Sequence, residues 1–207
     1  MHNSVLLIVV LGLLVLGACV GLCVSHAATA DAAAVTVPTY TANPGPSAVG
    51  TEEYTWRDNP RNRDLPVRTY YPAADPGPFP VIIFSHGLGG TREGYAYLGR
   101  HWASCGYVSV HVQHIGSDDS VWKGQPDPLQ AMKDSLKNPR SALDRPRDIR
   151  FTLDQLEVLN RDDPALAGRL DLQRIGMAGH SFGGWTTMAM AGESVISTRY
   201  SPSWGTV

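Results

Sequence analysis

Glycines stand two residues to either side of a serine in Gly179-His180-Ser181-Phe182-Gly183, a spacing that suits a hydroxyl used as a nucleophile. A serine hydroxyl attacks poorly by itself. It needs exposure at a sharp strand-to-helix turn, a base within reach, and backbone N–H donors for the charge that develops on the attacked oxygen. In so tight a turn a side chain at Gly179 or Gly183 would clash. The Phe182 N–H would be one donor, and the N-terminus of the helix behind it adds a favourable dipole. The competing reading is a glycine-rich turn with a solvated serine. The flanks favour the nucleophile: Ile175 and Met177 alternate with Gly176 and Ala178 before the turn, and Trp185, Met188, Ala189 and Ala191 follow at helical spacing.

Other residues were weighed for chemistry. His111 and His114 with Asp118 and Asp119 have the donor types of a metal site. Histidines three apart in a strand point to opposite faces and the acids lie in a loop, so no metal is expected. Gly87-Leu88-Gly89 is no dinucleotide fingerprint, since Arg92 stands where the third glycine belongs, and no phosphate loop is present; no cofactor is expected. Trp122, Trp185 and the Tyr95/Tyr97 pair could line an acyl pocket or belong to the core, and Trp185, one turn beyond Ser181, is the candidate pocket residue. His180 is expected to pack into the core. Cys105 is expected to be a small buried helix residue, because nothing beside it supplies a base or an electropositive turn.

A chain of 207 residues with net charge −2 and 43% hydrophobic content is the size of one α/β domain or part of one, and its charge gives no reason to expect nucleic acid. Val5 to Val24 is almost continuously apolar, and Ala28-Thr29-Ala30 offers small residues before Asp31. Residues 1–30 are therefore expected to be a signal peptide, and the protein secreted or periplasmic. Two alternatives are a retained membrane anchor and a lipoprotein, the latter because Leu16-Gly17-Ala18-Cys19 resembles a bacterial lipobox. Contact with a membrane is otherwise expected only in passing, through the leader.

Residues 31–50 read as a linker or extended lead-in, and 51–207 as the folded domain. Glu53–Trp56 and Val67–Tyr71 suggest a hairpin about a polar Arg57–Asp64 turn. Pro80–Ser85 is a continuous apolar run of the kind buried on both faces of a sheet. A helix is expected over Arg92–Ser104, a strand over Tyr107–Val112, and a long loop over Gly116–Arg140 with a short helix near Leu129–Leu136. Pro146 suits the first turn of a further helix, whose Ile149, Leu153, Leu156 and Leu159 form one apolar face. With the strand from Arg174 and the helix from Phe182, the alternation implies a doubly wound, mostly parallel α/β sheet.

Phe84-Ser85-His86-Gly87-Leu88-Gly89-Gly90, Gly106-Tyr107, Arg145-Pro146-Arg147-Asp148-Ile149 and Gly179–Gly184 together resemble the α/β-hydrolase superfamily. The likeness is greater to exported esterases around platelet-activating-factor acetylhydrolase, dienelactone-hydrolase-like proteins and polyester hydrolases. The resemblance implies Ser181 as nucleophile and the N–H groups of Leu88 and Phe182 as the oxyanion hole. Gly87, Gly179, His180 and Gly183 would support that geometry. His86, as a base, would violate the family's Ser, Asp, His order; a ring hydrogen bond that orients the oxyanion loop is the expected role.

That order also marks a departure: after Ser181 the sequence holds no Asp and no His, only Glu193 as an acid. True dienelactone hydrolases also differ, with cysteine at the position of Ser181. The chain is therefore expected to be the amino-terminal part of a hydrolase, its sheet incomplete at the carboxyl-terminal end and ordinary turnover lacking. The expected activity of the parent is hydrolysis of small-molecule or lipid-like carboxylic esters. The alternatives are a non-catalytic binding protein of the same fold and a serine peptidase of the same fold.

Overall fold

A computed structural model describes residues 43–192. The expected leader, Cys19, most of the lead-in, Glu193 and the Val195–Val207 tail lie outside the described residues. Strands β1 (Val49–Asp58) and β2 (Arg63–Pro72) form the expected hairpin, tighter than the sequence suggested because pairing continues to Asp58 and Arg63. Strand β3 (Phe79–Ser85), helix α1 (Ala96–Ser104) and strand β4 (Val108–Val112) follow. Helices α2 (Pro128–Ser135) and α3 (Pro139–Asp162), strand β5 (Leu170–Gly179) and helix α4 (Phe182–Met190) complete the described chain.

The sheet order is β1-β2-β4-β3-β5. β2 is antiparallel to both β1 and β4, whereas β3 is parallel to both β4 and β5, so the described sheet is mixed: an α/β arrangement in which β2 alone runs against the other four strands. The crossover from β3 to β4 runs one way across the sheet and that from β4 to β5 runs back. Right-handed connections then place α1 on one face and α3 on the other. Val81 and Ile83 accordingly share a core with Ile149, Leu156 and Leu159 of α3, while Phe84 meets Trp102 of α1 and His111.

Several boundaries depart from expectation for local reasons. Helix α1 starts at Ala96 rather than Arg92, because Thr91 accepts the Gly94 N–H in a separate turn and Tyr95 is left-handed at φ 62°. Pro146 does not open α3. Asn138 caps it, accepting the Arg140 N–H at 3.0 Å, and Pro139 takes the first turn. Pro146 lies inside the helix and removes the bond its N–H would have made to the Ala142 carbonyl. Arg145, Pro146, Asp148 and Ile149 are all buried there, so packing outweighs the lost bond. Strand β5 begins at Leu170, before the expected Arg174; the register breaks between Pro80 and Val81, and Asp171 turns back to accept from Gln173 N–H and pair with Arg174. Cys105 is exposed, not buried, because α1 ends there and Gly106 (φ 90°) turns the chain away.

Leu156 is fully buried between α3 and the sheet. Leu156→Ala is expected to cost about 2–5 kcal/mol, read as a lower urea midpoint at unchanged m-value.

Candidate active site

Ser85 and Gly179 are register partners, so the segments that leave the carboxyl ends of β3 and β5 start side by side. Ligand sites in such sheets form at this end. The turn after β5 crosses the end of β3 at close range: His180 N–H donates to the Ser85 carbonyl at 3.3 Å, and a Cβ on Gly183 would overlap that same oxygen. A Cβ on Gly179 would overlap the Gly183 carbonyl. Both glycines are thus required by space. Ser181, between them, has φ 53° and ψ −115° and an exposed side chain. A non-glycine residue held there costs on the order of 1–3 kcal/mol, the kind of strain concentrated at working sites.

The Gly87–Gly90 loop faces this turn. A Cβ on Gly87 would lie 3.0 Å from His180 Nδ1 and 3.5 Å from Ser181 Cβ. Gly90 N–H donates to the Gly87 carbonyl, Gly89 N–H to the Ser117 carbonyl, and Trp122 Nε1–H to the Gly89 carbonyl at 2.8 Å. Among the described residues, the N–H groups of Leu88 and Phe182 take no part in the backbone hydrogen bonds of these turns. Between loop and turn opens a cleft of about 640 Å³, lined by Leu88, Tyr95, Met132, Leu136, Phe182 and Trp185 besides His180 and Ser181. Trp185, left open between pocket and core by the sequence, lies along the cleft. Trp122 instead braces the loop, and Tyr97 is exposed away from the cleft. His180 is not a core residue: it is exposed, its ring 5.4 Å from Tyr95, because the chain has by then passed the end of the sheet.

Beneath the loop lies a buried polar network. His114 N–H donates to His86 Nε2 at 3.0 Å, so the His86 ring proton sits on Nδ1 and goes to the Gly87 carbonyl at 2.6 Å. His114 donates from Nδ1 to Asp148 and accepts the Ser85 hydroxyl at Nε2, both at 2.9 Å. Asp148, fully buried, also accepts from Arg61 and twice from Arg63. Burial opposes its ionisation, yet His114 and Arg63 outweigh burial and hold the carboxyl at about 2. Burial lowers His86 to about 2 and His114 to about 4, with Arg145 adding to both shifts.

The four residues considered for a metal point apart. His111 meets Ser109, His114 meets Asp148, Asp118 accepts from Gln113 and Ser120, and Asp119 pairs with Lys123. Among the described residues no group of three such donors could hold a metal. Sequence reasoning missed Met132 and Leu136 in the cleft and the part that Arg61, Arg63, His114 and Asp148 play in the network under the loop. One signal was available: Arg145 and Asp148 fall in phase with Ile149, Leu156 and Leu159 on the apolar face of α3, where charge is out of place.

The family model for platelet-activating factor acetylhydrolase, isoform II, matches residues 61–125, from the hairpin turn through the Gly87–Gly90 loop. The platelet-activating factor acetylhydrolase of Cavia porcellus is 27% identical over 62% of this chain and 35% of its own length. Cutinase 2 of Thermobifida cellulosilytica is 27% identical over 60% of this chain and 38% of its own. The solved ferulic acid esterase of Streptomyces cinnamoneus aligns with TM-score 0.54 and 25% identity over 72% of this chain and 57% of that one. The chain has the α/β-hydrolase fold, and its likenesses are to esterases of that fold. Those relatives are longer: the chain spans little more than a third of the two sequence relatives named.

The buried histidines set an acid limit for this fold. Burial brings His86 to about 2, and His111 and His114 to about 4, from an ordinary value of 6.5, so all three are neutral when folded. Unfolded, they take up protons as pH falls below 6.5. Stability is therefore full above that pH and lost on descent towards pH 4, at about 1.4 kcal/mol per pH unit for each histidine. Asp148, lowered from 3.8 to about 2, continues the loss with the same sign between those values. Urea midpoints measured from pH 7.5 to 4.5 are expected to hold steady and then fall steeply below 6.5; a flat profile would contradict the buried neutral pair at His86 and His114.

Proposed function

We propose that the chain carries the nucleophile and oxyanion half of an exported serine hydrolase acting on carboxylic esters. One observation carries the reading: a strained, exposed Ser181 at an apolar cleft that Leu88 and Phe182 also line, with N–H groups that the backbone of these turns does not use. Ser181 Oγ attacks the acyl carbonyl and gives its proton to a base. The two N–H groups hold the oxyanion, the alcohol leaves with a proton, and water releases the acyl group. His86 does not serve as that base, because it is buried and its Nε2 already accepts the His114 N–H. A histidine and an orienting acid from beyond Val207 are proposed to complete the relay.

The lining holds no lysine, arginine or carboxylate side chain, which favours uncharged ester groups over charged peptides. The relatives' names, with ester hydrolysis in common, support the same choice. The second reading is a binding protein of the same fold without turnover.

p-Nitrophenyl acetate hydrolysis by the full reading-frame product separates the two. Ser181→Ala in an active product is expected to lower kcat by roughly 10⁴ or more, and the 207-residue chain alone to be nearly inactive. A full product that binds such esters without hydrolysing them would favour the second reading. For localisation, the exported protein is expected to begin near Asp31 on amino-terminal sequencing; uncleaved chain recovered in membranes would point to an anchor, and lipid on Cys19 to a lipoprotein.

A further inference from the structure

Arg145 is the largest fully buried side chain, and among the described residues it makes no ion pair. Asp148, one turn away, is taken by Arg61, Arg63 and His114 instead. A buried guanidinium without a carboxylate is expensive unless its donors are used well. Those donors go to the two segments that carry the proposed oxyanion donors. Nη1 and Nη2 both donate to the His86 carbonyl, at 2.8 and 2.7 Å. Nε donates to Ser117 Oγ at 3.0 Å, and the Ser117 carbonyl in turn accepts the Gly89 N–H at 2.9 Å. On the other side the guanidinium carbon lies 4.4 Å from the centroid of the Phe182 ring. Nη1 also reaches Thr186 Oγ1 at 3.5 Å, and that hydroxyl donates to the Phe182 carbonyl at 2.9 Å.

Leu88 lies between His86 and Gly89, and Phe182 opens α4. Arg145 therefore holds the backbone before one donor directly and after it through Ser117, and it covers the ring of the residue that bears the other and reaches its carbonyl through Thr186. We infer that Arg145 is the positioning residue of this site, fixing the distance between the Leu88 and Phe182 N–H groups and so the fit to the oxyanion rather than to the ground-state ester. The inference rests on the reading of Ser181 as nucleophile. It depends on a flat fork that can donate in plane while its face covers a ring, which lysine does not offer.

The test uses the full reading-frame product with Arg145→Met and Arg145→Lys, measured against Ser181→Ala. Both Arg145 variants are expected to lose roughly 10–100-fold in kcat with KM changed less than about threefold, because an interaction made in the transition state is lost. Affinity for a phenylboronic acid, whose adduct with Ser181 presents an oxyanion, should fall by a similar factor. A purely structural role would lower the melting temperature while leaving kcat of the folded fraction and boronate affinity unchanged, and that result overturns the inference. So does full activity in Arg145→Lys. If Arg145→Met does not fold, Ser117→Ala keeps the arginine and removes its Nε acceptor; a several-fold fall in kcat at constant KM supports the inference, and unchanged kcat overturns it. Activity that survives Ser181→Ala would instead sink the nucleophile reading on which this one stands.

Discussion

The carbonyl groups of Ser85 and His86, where β3 leaves the sheet, are the point about which the site is fitted. Ser85 O accepts the His180 N–H and leaves no room for a side chain at Gly183, which draws the turn of Ser181 onto the end of β3. His86 O, one residue on, accepts both terminal nitrogens of Arg145. Two successive peptide units thus hold the Ser181 turn on one side and the helix beneath the loop on the other. Parallel pairing of β3 with β5 sets this up, because it brings Ser85 opposite Gly179 with both strands ending together. Without the crossover that returns β5 to the far side of β3, the two loops would not meet.

Strain at Ser181 is sustained by the rigidity of what it joins. The residue sits between the last residues of a strand and the first turn of a helix, both tied to β3, so the left-handed backbone cannot relax without moving one of them. That turns a cost of about 1–3 kcal/mol into exposure of a hydroxyl that would otherwise lie along the helix. Tyr95, the other non-glycine residue with positive φ among those lining the cleft, is fixed in a comparable way by the Thr91–Gly94 turn before α1. Rigid elements with strained junctions position groups more accurately than free loops do.

What the sequence conveyed and what it hid follow from range. Periodicity announced β3, β4, the face of α3 and the turn at Ser181, because each depends on residues within a few positions. The starts of α1 and α3 were misjudged for local reasons that propensity does not weigh: a Thr91 turn before one, and a proline tolerated in the interior of the other because its neighbours are buried. Exposure of Cys105 and of His180 depended on where the sheet and α1 stop, which no spacing reveals. The network of Arg61, Arg63, His114 and Asp148 joins residues more than eighty positions apart, and only the fold assembles it.

That network also explains why charge can be buried here at all. Asp148 gathers two guanidinium groups and a histidine N–H, so its charge is over-compensated, while His114 and His86 stay neutral and pass direction rather than charge along the chain Asp148, His114, His86, Gly87. In each ring one nitrogen donates and the other accepts, which fixes both tautomers and leaves the Gly87 carbonyl turned towards His86. A carbonyl turned inward leaves the next peptide N–H, that of Leu88, on the opposite side of the same peptide plane, since the two point apart across a trans bond. The buried carboxylate thereby orients a donor at the cleft without touching it, through neutral groups whose hydrogen-bond direction is set by a charge.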